Sequence, residues 1–329
     1  MKNLENYLSL LQYISHRPAV GFNFKQYYEN GTSLWLGSDS KELWDENIKT
    51  YSQYLEPYVD TPIKYKINEQ YFRSDFDFNK ELGCEVNIYL GCSHTQGVGN
   101  YEEDMFTTMI NNKIGYKQMN LGLGGHGMET AYYSILKYII RHEVKNVFHY
   151  QPLYPRYSCI NRDGVFYTIS YNKSDEEYEK IDKIPFRKEF IKNTVTSQGY
   201  MVYEYVKYIN AISSICQRKG VPYYFICDRP PSLDEVLSKN VSRKIPNPNG
   251  TFTLEPKMLP ITGPDDLVAR DCMHFSRNMN KEVADRFLKL VDEHPGGYID
   301  FDINVLDKVE VFPKVPTKDD SGVWDAKYN

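Results

Sequence analysis

A short apolar run, EVNIYLG, occupies residues 85–91 and ends in a glycine. Apolar side chains then recur at helical spacing, at Met105, Phe106, Met109 and Ile110. The first pattern predicts a strand and the second an amphipathic helix. A strand followed by a helix is the unit from which sheets covered by helices are built.

The same unit recurs along the chain. KQMNLG (117–122) precedes a helical stripe at 132–140, NVFHYQ (146–151) reads as a third strand, and an apparently irregular stretch follows at about 152–186. A helical pattern at 202–216 then leads into VPYYFICD (221–228), and a last helical stripe covers 283–291. This alternation predicts an α/β fold, a three-layer α/β/α sandwich with a mainly parallel, flavodoxin-like sheet.

The chain divides into three predicted regions. Residues 1–81 are rich in Tyr, Asn and Lys with weak periodicity, which indicates an N-terminal attachment packed on the core. Residues 82–294 form the predicted α/β/α domain. Residues 295–329 begin with Pro295-Gly296-Gly297 and are predicted to form an extended C-terminal arm.

Composition narrows the class of protein. Of 329 residues, 41% are hydrophobic and 25% charged, as in globular domains, and the net charge of −5 gives no basic field for nucleic acid. No run reaches the roughly 18 to 20 apolar residues of a membrane span, and the first residues lack a signal-peptide cleavage site. We expect a soluble cytoplasmic protein with six reduced cysteines.

Two turns carry candidate chemistry. Ligands of open α/β sheets bind at the carboxyl ends of the strands, and Ser93 follows the first strand in the turn Gly91-Cys92-Ser93-His94-Thr95-Gln96-Gly97. Asp271 stands three residues before His274, just ahead of the last helix. A carboxylate at that spacing can bond the imidazole and leave its other nitrogen to take a serine proton.

In these residues the sequence resembles the SGNH/GDSL hydrolases, over about residues 65–292, as a divergent member. The family's Gly-Asp-Ser-Leu block is similar to Gly91-Cys92-Ser93-His94-Thr95, its glycine block to Asn120–Gly125, and its last block to Asp271 and His274. The third block, Gly-x-Asn-Asp, is altered, since residues 150–156 read YQPLYPR.

The resemblance implies a serine esterase that works through an acyl-enzyme. Ser93, His274 and Asp271 would form the catalytic triad, and the amides of Ser93 and Gly125 would form the oxyanion hole, with Gln151 as the substitute for the missing asparagine. His94 and Arg156 are candidate substrate contacts. The substrate would be a small-molecule or glycan ester, with no cofactor and no metal.

Other readings stay open. Cys92 is an alternative nucleophile. Gly122–Gly127 matches the G-x-G-x-x-G pattern of dinucleotide sites, and His94, His126 and His149, which follow successive strands, are candidate metal ligands. The main rival is a non-catalytic binding or assembly protein that keeps the fold, in an oligomer or a larger structure such as a virus particle.

Overall fold

The computed structural model describes residues 31–152, 156–160, 166–170, 198–228 and 267–297. The greater part of the predicted C-terminal arm, 298–329, and residues 1–30 of the N-terminal attachment lie outside the described residues. No helix in the described ranges combines the length and the apolar character that crossing a bilayer would require.

Helices and strands alternate through the described core, after a short N-terminal set. In chain order the elements are β1 (Thr32–Ser33), α1 (Lys41–Leu55), α2 (Pro57–Asp60), β2 (Tyr65–Lys66), β3 (Glu85–Gly91), α3 (Ser93–Gln96), α4 (Phe106–Ile114), β4 (Lys117–Asn120), α5 (Met128–Tyr138), β5 (Glu143–Pro152), β6 (Arg156–Ile160), β7 (Phe166–Ser170), α6 (Gln198–Lys219), β8 (Tyr223–Asp228) and α7 (Arg277–Glu293).

A four-stranded sheet forms the centre, in the order β4-β3-β5-β8, and all three of its pairings are parallel. The predicted α/β class is therefore confirmed. Gly91 at the end of β3 is level with Tyr150 of β5, which pairs in turn with Ile226 of β8. The segments that follow β3 and β5 thus leave the same edge of the sheet.

One face of the sheet packs on α5 and α6. Val86, Ile88 and Leu90 of β3 alternate toward this face and lie in one buried cluster with Ile135 and Ile212 of the two helices. Alternate strand residues point to opposite faces, which explains why every second side chain of β3 belongs here. Ile135 and Ile139 of the stripe predicted at 132–140 belong to this cluster, as do Ile209, Ile212 and Cys216 of the stripe predicted at 202–216, whereas Ile140 is 62% exposed.

The opposite face packs on α4 and α7. Tyr89, Phe148 and Tyr224 of adjacent strands stack in a row, with ring centroids 5.3 and 5.4 Å apart. Phe106 of α4 and Phe287 of α7 belong to the same buried cluster. This second cluster also includes Phe275, just before α7, and Met279 in its first turn.

The N-terminal elements have a third buried cluster of their own. Leu55 of α1, Tyr65 of β2 and Val98 pack with Leu267 and Val268, which precede α7. Leu55 and Tyr65 have no exposed surface. This cluster therefore joins residues 31–67 to the two loops that carry the candidate chemistry.

The stretch predicted to be irregular at 152–186 contains two strands. β6 and β7 pair antiparallel, with Arg156 opposite Ser170 and Ile160 opposite Phe166. The expectation was wrong for these ten residues because their runs, RYSCI and FYTIS, are rich in the β-branched and aromatic residues that favour strands.

Candidate active site

The turn after β3 presents Ser93 at the start of α3. Gly91 has φ +148°, and a Cβ on it would lie 2.1 Å from Thr95 Oγ1 and 2.2 Å from the Tyr150 carbonyl oxygen. Only glycine fits such a position. The missing side chain is what lets the chain turn from the strand into α3 within one residue.

Ser93 and its neighbour Cys92 differ in exposure. Cys92 has no exposed surface, whereas Ser93 is half-buried. The Ser93 hydroxyl donates to Cys92 Sγ over 3.9 Å, and a thiol sulfur is a weak acceptor. Of the two candidate nucleophiles, the hydroxyl is therefore the one that a substrate can reach in this structure.

Arg73 binds the C-terminal end of the turn that carries Ser93. Its guanidinium donates to the carbonyl oxygens of Gly97 and, at 3.0 Å, Asn100, and it lies over the ring of Tyr65, 4.7 Å from the centroid. Arg73 is buried, and burial lowers its pKa. The charge faces the carbonyl end of α3, where cations are favoured. Arg73 is thus a positioning residue for residues 93–100.

Asp271 and His274 make the hydrogen bond that their spacing predicts. His274 Nδ1 donates to Asp271 Oδ2 over 2.6 Å, while Asp271 Oδ1 accepts from the amides of Met273, at 3.1 Å, and His274, at 3.3 Å. A carboxylate can only accept, so the proton sits on Nδ1. Nε2 is then the nitrogen available as a base.

Asp271 is almost fully buried, at 1% exposed, yet it is held in the charged form. Burial by itself would raise the pKa of the carboxyl, but the electrostatic attraction and hydrogen bond of His274, with the hydrogen bond from Ser38, outweigh it and leave the pKa below its ordinary value. The turn is strained next door, where Cys272 adopts φ +57°. Such strain tends to gather at functional sites.

The two turns lie against each other. The ring of His94 stacks on Phe275, with centroids 3.9 Å apart, and its centroid is 4.9 Å from that of His274. The amide of Arg270 donates to the Gly99 carbonyl oxygen over 2.8 Å. The structure therefore brings His94, His274 and Asp271 into one place beside the turn that begins with Ser93.

Three side chains from the N-terminal segment contact Asp271 or its neighbour Arg270, and none of them was predicted from the sequence. Ser38 Oγ donates to Asp271 Oδ2 over 2.7 Å, and Asn47 Nδ2 donates to the Asp271 carbonyl oxygen over 3.1 Å. Asp39 pairs with Arg270. The Ser38 contact joins residues 233 positions apart, and a serine with so distant a partner leaves no local pattern.

The Asp39–Arg270 pair is wholly buried. Arg270 Nε lies 2.9 and 3.1 Å from the two carboxylate oxygens, and the two side chains are 1% and 2% exposed. Tyr65 OH also donates to Asp39, and Arg270 donates to the Leu34 carbonyl oxygen. Burial opposes the charge of Arg270, but Asp39 outweighs it and raises the pKa of the guanidinium. The pair fixes the residue next to Asp271.

The glycine loop after β4 packs on the Ser93 turn. A Cβ on Gly122 would lie 2.6 Å from the Gln96 amide nitrogen, and one on Gly124 would lie 3.7 Å from Ser93 Cβ. The Gly124 amide donates to Gln96 Oε1 over 2.9 Å. Close packing against α3 thus accounts for these glycines without a dinucleotide. Gly125, the predicted oxyanion donor, follows with φ +78°.

Gln151 lies on the face of β5 opposite to the one that faces His94 and His274. Tyr150 contacts Phe275, so Gln151 points to the opposite face, where its Oε1 is 3.4 Å from His149 Nε2. His149 Nδ1 meets Tyr223 OH at 2.9 Å, and burial lowers the pKa of His149 to about 3. Arg156 begins β6, and its side chain lies outside the described part of the chain.

The three histidines considered as metal ligands have separate surroundings. His126 Nδ1 is 3.0 Å from Thr130 Oγ1, His94 stacks on Phe275, and His149 lies between Tyr223 and Gln151. Within the described ranges, no group of three or more His, Cys, Asp or Glu side chains is arranged to hold a metal ion.

Comparison with known proteins gives no family for this chain: neither protein-family models nor curated protein sequences match it.

Proposed function

We propose that the chain is an ester hydrolase of the SGNH/GDSL type, with Ser93 as nucleophile, His274 as base and Asp271 as its partner. The fold in this proposal is a three-layer α/β/α sandwich with flavodoxin-like strand order. The order β4-β3-β5-β8 and the helices packed on both faces support it. Ser93 follows the inner strand β3, at the sheet edge where such folds bind ligands.

One observation carries the proposal. A buried carboxylate accepts from His274 Nδ1 over 2.6 Å, in a turn that contacts the turn of Ser93 through His94 and Gly99. A histidine oriented in this way presents Nε2 as a proton acceptor. The proposal assigns the roles of nucleophile, base and orienting carboxylate to Ser93, His274 and Asp271, in the order that acyl transfer needs.

The chemistry takes two half-reactions. His274 Nε2 accepts the hydroxyl proton as Ser93 Oγ bonds to the ester carbonyl carbon, and the tetrahedral intermediate collapses when the imidazolium gives that proton to the departing alcohol. Water, deprotonated by the same nitrogen, attacks the acyl-serine, and the proton returns to Ser93 Oγ as the acid leaves. Asp271 remains ionised throughout and stabilises the imidazolium.

The amides of Ser93 and Gly125 are the proposed donors to the oxyanion, with Gln151 as an additional donor. Gln151 starts from the other face of β5, so the two amides carry most of this role. His94, beside His274, and Arg156 are proposed substrate contacts. The proposed substrates are small esters or O-acyl groups of a carbohydrate.

Hydrolysis of short p-nitrophenyl esters by the purified full chain tests the proposal. Ser93→Ala removes the nucleophile, and we expect kcat to fall about 1,000-fold or more, as for other triads. Cys92→Ser is the matched control, because Cys92 is adjacent but buried. Serine keeps an acceptor for the Ser93 hydroxyl, so this variant should keep activity within about threefold.

Loss of activity in Cys92→Ser alone would transfer the nucleophile to the thiol. A wild type no faster than Ser93→Ala on acetyl, butyryl, longer-chain and acetylated-sugar esters would contradict the enzyme and leave the non-catalytic binding or assembly protein.

A further inference from the structure

A tight turn in the N-terminal segment brings Ser38 to the acidic member of the proposed triad. Leu36 and Asp39 exchange backbone hydrogen bonds of 2.9 and 3.1 Å, and Gly37 between them has φ +63°. The turn places two consecutive side chains against two consecutive residues, Ser38 on Asp271 and Asp39 on Arg270.

The contact with Ser38 completes the hydrogen bonding of the Asp271 carboxylate. Oδ2 accepts from Ser38 Oγ at 2.7 Å and from His274 Nδ1 at 2.6 Å, and Oδ1 accepts from two backbone amides. Two carboxylate oxygens offer about four lone-pair sites, all of which are then used. A carboxylate held by four donors cannot rotate without losing several of them.

Ser38 is the one side chain from outside this turn that donates to the Asp271 carboxylate among the described contacts. The hydroxyl is bonded to the same oxygen that holds the imidazole, and Asn47 fixes the backbone of Asp271 from the other side. The charged or titratable groups around this carboxylate are His274 and Cys272 on its own turn, Arg270 beside it, Asp39 from the N-terminal turn and His94 from the Ser93 turn.

We propose that Ser38 is a positioning residue of the proposed active site: its hydroxyl anchors Asp271 so that His274 keeps Nδ1 as donor and Nε2 as the proton-accepting nitrogen. The inference rests on the proposed function for its kinetic consequence. It also makes Ser38 and Asn47, the two residues of this segment that contact Asp271, part of the site, although both lie outside the core domain delimited by the sequence pattern.

Kinetics of Ser38→Ala give the first test. We expect kcat to fall about 10-fold with KM within about twofold, because misorientation affects the chemical step more than substrate binding. Ser38→Thr keeps the hydroxyl and should restore most of the activity. Ser40→Ala is the matched control, since Ser40 Oγ accepts from the Leu43 amide at the start of α1 and does not contact Asp271.

The state of the histidine gives a second test that needs no turnover. The hydrogen bond from Ser38 lowers the pKa of Asp271, so Ser38→Ala should raise that pKa. Protonation of the carboxylate weakens its hydrogen bond with His274, so the change that this protonation causes in the His274 ring signals in NMR should move to higher pH in Ser38→Ala. Loss of these signals in His274→Gln assigns them.

The two tests separate the two proposals. An unshifted NMR transition in Ser38→Ala, or a kcat loss that Ser38→Thr does not restore or that Ser40→Ala shares, would overturn the role of Ser38. A shifted transition in a protein that hydrolyses no ester would support the anchoring of Asp271 and overturn only the esterase.

Discussion

The ionised carboxylate of Asp271 contributes to the free energy of unfolding of the protein. Its pKa is lower in the folded chain than in the unfolded chain, so its contribution is fully present above the ordinary value of about 3.9 and is lost as pH falls through the folded value. Asp271→Asn removes this contribution. We expect its free energy of unfolding to change less between pH 5 and pH 3 than that of the wild type, measured by urea titration.

Asp45→Asn is the control for that titration, because Asp45 is half-exposed in an ion pair with Lys41. An equal change in the free energy of unfolding between pH 5 and pH 3 in Asp271→Asn and in the wild type would contradict the prediction.

At this scale the sequence predicts the bond between Asp271 and His274, since a three-residue spacing is a local property. It does not predict Ser38, Asp39 or Arg73, whose partners are set by the tertiary fold.

At the scale of elements, the passage from β3 into α3 depends on Gly91. A Cβ there meets the Tyr150 backbone oxygen at 2.2 Å, which cannot move without disturbing β5. We expect Gly91→Ala to lower the free energy of unfolding by about 3 kcal/mol or more, through overpacking and backbone strain together. Gly83→Ala is the control, with φ +77° but open space around it, and should cost about 1–2 kcal/mol.

Equal losses in these two variants, measured by urea unfolding, would show that contact with β5 is not what requires the glycine. The main elements were predictable because a short apolar run that ends in a glycine indicates a buried strand and a period of 3.6 indicates an amphipathic helix. The β6–β7 pair was not predicted, although Asp163-Gly164 between its two runs is a hairpin signal. The sheet order depends on long-range pairing and has no equivalent local pattern.

At the scale of the whole molecule, the buried Asp39–Arg270 pair fastens the N-terminal segment to the core. Asp39→Asn leaves a buried guanidinium without its countercharge, and we expect a loss of about 3–5 kcal/mol in the free energy of unfolding. Trp35, whose ring lies 4.2 Å from Arg270, reports the transition by fluorescence. Lys41→Met breaks an exposed pair and should cost less than about 1 kcal/mol.

A loss in Asp39→Asn no larger than in Lys41→Met would mean that the Asp39–Arg270 pair is not what holds the segment to the core. Composition predicted a core of ordinary size, but it could not place residues 31–67 on the site. The apolar residues of this segment have weak periodicity. The partners of Ser38 and Asp39, which are Asp271 and Arg270, lie more than 200 positions away.

The distance in sequence between Ser38 and Asp271 also sets the order in which the parts of the proposed site are synthesised. A ribosome adds residues from the N-terminus onward, so Ser38 leaves it long before Asp271, 233 positions later. Contacts between residues so far apart form slowly, because a long loop must close first. A nascent chain therefore carries Ser93 without an oriented His274 until nearly all of the described core has been made, and the proposed site is assembled last.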